Sequence, residues 1–335
     1  MSGRWSITRL LTTIAISVAA WLAIAMLCMM IGSTGHFGWP APQIWIDRQT
    51  PVLMASLIGA ALAGAGVAYQ AVLRNPLADP YLLSASSGAA LMAYLWRLPF
   101  ASGFLVSGMA AAMGQQGFAF IGALLSVAIV FALAGARGRL EPLTLLLVGV
   151  IMNSVNGSLF LLVDALHKNL PAGAGPMTFL IGAIQTNTSF AQLLAATVLC
   201  AVGTLVLLLI SGELNAAVLS DDEAIALGVR VQRLRWIALI VASLMTAAVV
   251  AISGPIGFIG LICPHLARLV VGRDARILIP ASMAIGAMLL AIADALSRTL
   301  LGVGAVQTEL PVGVLTGLLG GPFFLLLLFQ ERRQR

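Results

Sequence analysis

Long apolar runs fill most of the chain, and short polar segments separate them. A helix needs roughly 20 mostly apolar residues to cross the hydrocarbon core of a bilayer, which is about 30 Å thick. Runs of that length favour helices over the short alternating strands of a membrane barrel. We therefore predict an all-α integral membrane protein with about ten transmembrane helices. The predicted spans are Leu10–Ile31, Val52–Leu73, Leu82–Trp96, Phe118–Ala136, Leu143–Val163, Phe190–Ile210, Leu234–Ile252, Ile256–Val271, Ile277–Leu296 and Val312–Phe329.

The composition agrees with that class. Of the 335 residues, 60% are hydrophobic and only 9% are charged, whereas about a quarter of an ordinary soluble domain is charged. The first run is too long for the apolar part of a signal peptide and lacks a small-residue cleavage site, so we expect it to remain as a span. Because no long polar segment is left for a soluble domain, we expect residues 1–335 to form a single transmembrane domain.

The basic residues indicate how the spans are oriented. If the N-terminus is cytoplasmic, alternate loops place 14 of the 18 Lys and Arg residues on the cytoplasmic side. The other side keeps Arg48, Arg97, Lys168 and Arg298. Because Lys and Arg near spans are retained in the cytoplasm, both termini are predicted to be cytoplasmic. We do not expect a nucleic-acid partner, because no basic stripe carries interleaved aromatic residues.

One charged stretch, SDDEAIALGVRV at residues 220–231, lies between two nearly apolar regions. Ser220 and Glu223 have the spacing of a capping box, the three acids suit the positive end of a helix, and Gly228 suits a helix stop. A helix this short is marginal alone, so its apolar side needs a covering surface. Because acids are unfavourable beside an anionic leaflet, we predict a cytoplasmic protein partner rather than lipid. The apolar residues that need covering are Ala224, Ile225 and Leu227.

The sequence offers no energy source of its own for transport. A phosphate-binding loop needs a lysine, and the only lysine, Lys168, lies in a predicted external loop without that motif. An ion-coupled carrier would instead keep ionisable groups inside its spans, and the candidates are Asp164, Asp294 and Arg298. Asp294 and Arg298 are four residues apart on one helix face, so they form either a structural ion pair or part of a proton relay.

The sequence also lacks the patterns of an enzyme or a metal site. Its three histidines are scattered, and no Ser or Cys lies in a nucleophile motif. The three cysteines lie in apolar runs without metal-ligand spacing. We therefore expect no catalytic residue, no metal and no cofactor in this chain.

Amides and hydroxyls are the other polar groups of the spans. Asn153 and Asn156 share one face of the fifth predicted helix. They either line a path for a large polar solute or hydrogen-bond a neighbouring helix, as asparagine does in membranes. Gln185 is a further candidate for such a path.

Five segments carry a resemblance to a known family, and it covers nearly the whole chain after the first span. They are YQAVLRNPLADPYLLSASSGAAL (69–91), LLLVGVIMN (145–153), LSDDEAIALGVRVQRLR (219–235), SGPIGFIGLICPHLARLVVGRDARILIPAS (253–282) and TELPVGVLTGLLGGPFFLLLL (308–328). They resemble the permeases of bacterial ABC importers for iron-siderophores, haem and cobalamin, which have the type II import fold. The resemblance implies a ten-helix subunit of the bacterial cytoplasmic (inner) membrane, paired with a second permease subunit. It also implies two cytoplasmic ATPase subunits that bind the ATP, and a periplasmic or lipid-anchored substrate-binding protein.

The resemblance also implies roles for particular residues. A cytoplasmic coupling loop at about 213–233 would dock on the ATPase through Asp221, Asp222, Glu223, Ala224, Leu227 and Gly228. Cytoplasmic gates would lie at Ser86, Ser87 and Gly88 and at Glu141 and Pro142, although ordinary turns would explain the same residues. The binding protein would dock on Arg48 and Arg298. Pro51 stands where the family motif has a second arginine, which removes one charge-assisted contact there.

Two functions follow from these observations. The first is a permease subunit of an ATP-driven importer for an iron chelate, haem or cobalamin, which forms the translocation path by alternating access. The alternative is an ion-coupled secondary carrier of a small polar solute, energised by groups such as Asp294. The two differ over the 213–233 loop, which serves an ATPase only in the first. The sequence leaves the chelate open, and we expect the second subunit to be an identical copy.

Overall fold

The computed structural model describes residues 6–31, 38–39, 45–96, 98, 109–135, 140–166, 181–184, 188–300 and 310–334. Within these ranges the chain forms twelve α-helices and a short 3₁₀ helix, Pro80–Leu83. The α-helices are α1 (Ile7–Met30), α2 (Trp45–Val72), α3 (Ala85–Trp96), α4 (Met109–Ala134), α5 (Pro142–Leu166), α6 (Phe190–Leu209), α7 (Ser211–Ala217), α8 (Asp221–Ala226), α9 (Val231–Ser253), α10 (Ile259–Val271), α11 (Ala275–Leu300) and α12 (Val312–Gln334).

Seven of the helices in the described ranges are long and apolar enough to cross a membrane. They are α1, α2, α5, α6, α9, α11 and the part of α4 from Gly114 onward. Three other predicted spans are shorter: α3 has 12 residues, α10 has 13, and the apolar part of α12 is Val312–Leu326. Ser84 and Phe258, which directly precede α3 and α10, have φ values of 60° and 69°. A right-handed helix cannot continue through such residues, so both helices start late.

Three helices form the centre of the bundle. In their apolar stretches, 83% of the residues of α2, 72% of α9 and 61% of α11 are buried, against 6% for α1 and 17% for α5. The α2 helix packs against both α11 and α9. A Cβ atom on Gly59 of α2 would overlap the carbonyl oxygen of Gly286 in α11, so the two backbones meet where only glycine fits. The hydroxyls of Tyr69 and Ser243, 2.7 Å apart, join α2 to α9.

The α2 helix joins the two ends of the bundle. It has 28 residues, which corresponds to a length of about 42 Å. It begins at Trp45 rather than at the predicted Val52, because the helix continues through Pro51. Arg48 therefore lies on the helix near its start, while Arg74 follows directly after its other end. These two arginines mark the opposite ends of the bundle.

Candidate functional site

The α8 helix begins with the capping box that the sequence predicts. The Glu223 backbone N–H donates to Ser220 Oγ at 3.3 Å, and the Ser220 backbone N–H donates to Glu223 Oε2 at 2.9 Å. The Ser220 hydroxyl also donates to Glu223 Oε2, at 2.8 Å. These bonds from Ser220 lower the pKa of Glu223 below its usual range, because they stabilise the carboxylate. The charge of Glu223 therefore serves to start the helix.

Gly228 follows the end of α8 with a φ of 83°, a left-handed conformation that suits glycine. Its N–H donates to the carbonyl oxygen of Ile225 at 2.8 Å. The predicted helix stop at Gly228 is therefore confirmed. The helix has only six residues, from Asp221 to Ala226.

The apolar residues of α8 point to two different sides. Ile225 is 60% exposed and Leu227 is 66% exposed. Ala224, which we expected to be exposed with them, is instead fully buried. It packs in a small cluster of this chain with Ala216 and Val231. One side of the helix is thus fixed on the protein, and the other side presents two large apolar side chains that nothing in the described chain covers.

Asp221 turns towards the bundle. Its Oδ1 atom accepts from Arg74 Nη2 at 2.6 Å and from Arg235 Nη2 at 2.8 Å. Arg74 lies just after α2, and Arg235 lies in the first turns of α9. The carboxylate of Asp221 is therefore bonded within its own chain. Asp222 and Glu223 are both exposed and form no ion pair within the described residues, but the Glu223 carboxylate is engaged in the capping box.

Further hydrogen bonds hold the segment formed by α7 and α8, residues 211–226, on the bundle. Arg74 Nε donates to the Ala217 carbonyl oxygen at 2.8 Å. Asn215 Nδ2 donates to Asp274 Oδ1 at 2.9 Å, and Asn215 Oδ1 accepts from the Ala275 backbone N–H at 2.7 Å. The α7–α8 segment is thus bonded to the end of α2 and to the start of α11.

The sequence interpretation missed Arg74 and Arg235 as parts of this site, since it used them only to orient the spans. Their partner lies far along the chain from Arg74, so no local spacing points to the contact. A signal was present in the sequence nonetheless, because both arginines border an apolar run, where a charge that becomes buried needs an anion nearby.

The predicted gate residues at the start of α3 lie in a polar network with α5. Ser87 Oγ donates to Asn153 Oδ1 at 2.8 Å. Asn156 Nδ2 donates to Ser87 Oγ at 3.0 Å and to Ser126 Oγ of α4 at 2.9 Å. Asn156 is buried. Of the two alternatives for Asn156, the hydrogen bond to neighbouring helices is therefore the one seen in this conformation.

Asn153 occupies a different position from Asn156. It is partly exposed, and its Nδ2 atom donates to the Tyr81 carbonyl oxygen at 3.2 Å. It thereby ties α5 to the 3₁₀ helix that precedes α3. In α3, the predicted gate residue Ser86 is buried. A Cβ atom on Gly88 would overlap the Gly122 carbonyl oxygen, so α3 packs closely against α4 at this glycine. Gln185 lies outside the described residues.

Glu141 and Pro142 stand at the start of α5. Pro142 is its first residue, where a missing N–H costs no helical bond. Glu141 is exposed, and its Oε2 atom accepts from the Thr144 hydroxyl at 3.3 Å. This arrangement is that of an ordinary helix start, the alternative we kept beside a gate.

The two predicted docking arginines lie at the other end of the bundle from α8. Arg48 is half-buried, and its Nη1 atom donates to the Met29 carbonyl oxygen in α1 at 3.3 Å. Arg298 and Asp294 form an ion pair within α11, with 2.7 Å between Nη2 and Oδ2. Only 12% of the Arg298 side chain is exposed. Asp294 and Arg298 therefore form an ion pair, while Arg48 has no ion pair within the described residues.

A bundle of apolar helices with a capped, partly uncovered helix at one end fits a membrane protein that binds a partner, and the comparisons with known proteins identify it as a permease subunit, a transport component rather than an enzyme. A solved structure supports this class: an inward-facing ABC transporter assigned to the metal-chelate type has a TM-score of 0.80 to this chain at 28% identity. The match covers 95% of this chain and 98% of that one, so the fold is that of a type II ABC importer permease. The chain belongs to the FecCD transport family, which it matches over residues 7–330.

Two relatives illustrate the family. The hemin transport system permease protein HmuU of Yersinia pestis is 38% identical over 308 residues, which cover 90% of this chain and 87% of that protein. The cobalamin import system permease protein BtuC of Halobacterium salinarum is 38% identical over 283 residues, which cover 84% of this chain and 72% of that protein. Both relatives are named as permease proteins of a transport or import system, and the structural neighbour is an ABC transporter, so together they support a permease subunit over the ion-coupled carrier.

Proposed function

We propose that this permease subunit imports an iron chelate, haem or cobalamin, and that α8 docks on an ATPase that supplies the energy. The observation that carries the docking is the exposure of Ile225 and Leu227 on a helix that is otherwise fixed to its own chain. Two large apolar side chains on a capped helix suit a groove in a protein partner. The substrates named for the two relatives and the metal-chelate type of the structural neighbour support the substrate class.

The orientation proposed for the chain places α8 and both termini in the cytoplasm of a bacterial cell, and the bundle in its inner membrane. Arg74, Arg230, Arg233 and Arg235 all lie close to α8 in the chain or in the fold. Basic residues near spans favour the cytoplasmic side. The same orientation puts Arg48 and Arg298 on the outer side, where a substrate-binding protein delivers its ligand.

The proposed assembly contains a second copy of this chain, two ATPase subunits and one binding protein. ATP is bound by the ATPase subunits, and we propose no cofactor for this chain. The acids of the binding protein would pair with Arg48, because Arg298 is largely buried with Asp294 as its partner. Asp222 is exposed and is engaged neither in the capping box nor in an ion pair of the described residues, so it is the acid of α8 that we expect to meet basic groups on the ATPase.

The proposed path runs along α5, and its gate lies where α5 meets the start of α3. Asn153 is partly exposed and bonded to Ser87, so breaking this contact would free two polar groups towards a solute. The buried Asn156 bonds the same serine and would become accessible only if α5 moved away from α3. Gln185 remains a proposed path residue on the strength of the sequence.

The test is transport by the complete system. The permease, its ATPase and its binding protein are reconstituted in proteoliposomes, and uptake of a ferric siderophore, haem and cyanocobalamin is measured with and without ATP. We expect ATP-dependent uptake of one of these three probes. Uptake that follows an ion gradient and needs no ATPase would contradict the importer, whereas a bound and active ATPase with no uptake of any probe would contradict the substrate class.

A further inference from the structure

The acids of α8 differ in what their side chains contact. Glu223 is engaged in the capping box with Ser220. Asp222 is exposed. Asp221 alone among them bonds to side chains of the spanning bundle, through Arg74 and Arg235. Among the described residues, Asp222 is therefore free of contacts that would hinder docking on the ATPase, whereas an ATPase that bound Asp221 would have to displace Arg74 and Arg235 from it.

Two donors from different parts of the bundle converge on one oxygen atom. Arg74 Nη2 lies 2.6 Å and Arg235 Nη2 lies 2.8 Å from Asp221 Oδ1. Bonds between charged groups are stronger than bonds between neutral ones. Since Arg74 lies two residues after the end of α2 and Arg235 lies in α9, this single carboxylate links α8 to two of the most buried helices.

The burial of Arg235 makes the link hard to replace. Its side chain is only 7% exposed, and its Nη1 atom donates to the Leu140 carbonyl oxygen at 3.3 Å. Asp221 is its anionic partner within the described residues. A buried charge that loses its partner is costly, so Arg235 must either keep Asp221 or move.

The rest of α8 has few ties to the bundle. The helix has six residues, and its one buried residue is the small Ala224. A helix this short has little stability of its own. Its direction relative to α2 and α9 therefore depends strongly on the Asp221 ion pairs, with Arg74 Nε and the Ala217 carbonyl oxygen holding the adjoining turn.

We propose that Asp221 is a positioning residue: it ties the docking helix α8 to α2 and α9 through Arg74 and Arg235, and so passes movement of the ATPase to the spans. This inference rests on the proposed function, because it needs an ATPase on α8. In this role Asp221, whose side chain is 43% exposed, acts through its bonds to Arg74 and Arg235 and not as a contact for the ATPase. Its loss should therefore uncouple ATP hydrolysis from transport while the exposed docking side chains continue to bind.

The experiment compares Asp221→Asn with wild type in the reconstituted system, measuring ATPase affinity, ATP hydrolysis and the substrate moved per ATP. The control Glu213→Gln also removes one negative charge from the α7–α8 segment, at an exposed side chain that forms no ion pair within the described residues. We expect Asp221→Asn to lower the substrate moved per ATP by about fivefold or more, the size of a typical coupling between sites. ATPase affinity should stay within about twofold, since Ile225 and Leu227 are unchanged.

Further outcomes decide between positioning and other roles. Asp221→Glu keeps the charge and should restore most of the substrate moved per ATP, which a loss of packing alone would not predict. Weaker ATPase binding at an unchanged transport ratio would overturn the proposal, because it would make Asp221 a contact for the ATPase. If the Asp221→Asn permease does not assemble with the ATPase, Arg74→Gln is measured instead. A lower amount of substrate moved per ATP supports the proposal, and a wild-type amount overturns it. If wild type itself moves no substrate with ATP, the proposed function fails rather than the role of Asp221.

Discussion

Truncating Leu227 to alanine tests the docking surface directly. Leu227 is 66% exposed in the isolated subunit, and it lies just after α8. Full burial of a leucine side chain contributes about 1.5–3 kcal/mol. If the ATPase covers the exposed two thirds, Leu227→Ala should lose about 1–2 kcal/mol of binding free energy, or roughly 5- to 30-fold in affinity. The subunit itself should remain stable, because an exposed side chain contributes little to its core.

The assay is the affinity of the purified ATPase for the permease in nanodiscs, measured by biolayer interferometry. Leu205→Ala is the matched control, because Leu205 is 57% exposed but lies in the spanning helix α6. We expect the control to bind the ATPase like wild type. Equal affinities for Leu227→Ala and wild type would refute the reasoning, since they would show that no partner covers this side chain.

Three further substitutions test the packing around the site. Ala224→Leu would overfill the small buried cluster that holds α8 on its own chain, which destabilises that contact by about 1–3 kcal/mol. The displaced helix should bind the ATPase more weakly, and an unchanged ATPase affinity would contradict this prediction. Gly59→Val should lower the thermal unfolding temperature in detergent, because a Cβ atom at this position would overlap α11. A Cβ atom at Gly157 would meet no other atom within 4 Å, so Gly157→Ala should leave the unfolding temperature unchanged. Asn156→Ala should cost about 1–2 kcal/mol of stability by thermal unfolding, and the exposed Ser154→Ala should cost nothing measurable.

Local patterns in the sequence were sufficient to predict local features of the site. Ser220 and Glu223 are three residues apart, a spacing at which each side chain reaches the backbone N–H of the other in a helix start, so the capping box follows from spacing alone. Asp294 and Arg298 are four apart on one helix face, and the predicted ion pair is present. Such features depend on a few consecutive residues and hardly on the fold.

Features that depend on tertiary packing could not be predicted in this way. Whether Ala224 faces the bundle or a partner depends on how α8 is rotated, and two turns of helix give too weak a pattern to fix that rotation. The contact of Asp221 with Arg74 joins residues that are far apart in the chain. The two asparagines were correctly placed on one face of α5, but their shared partner, Ser87, became visible only in the fold.

The difference between close backbone packing and polar side-chain bonds indicates which parts of this bundle can move. The α2 and α11 helices meet at glycines with no room for a side chain, so they shift together or not at all. The α5 helix is far less buried, and polar bonds from Ser87 and Tyr81 to its asparagines hold it to the start of α3. Polar bonds can be exchanged for bonds to water or a solute, whereas close backbone packing has no substitute. A pull on Asp221 would therefore move α2 and α11 as one body, and the contact between α3 and α5 is where the path would open.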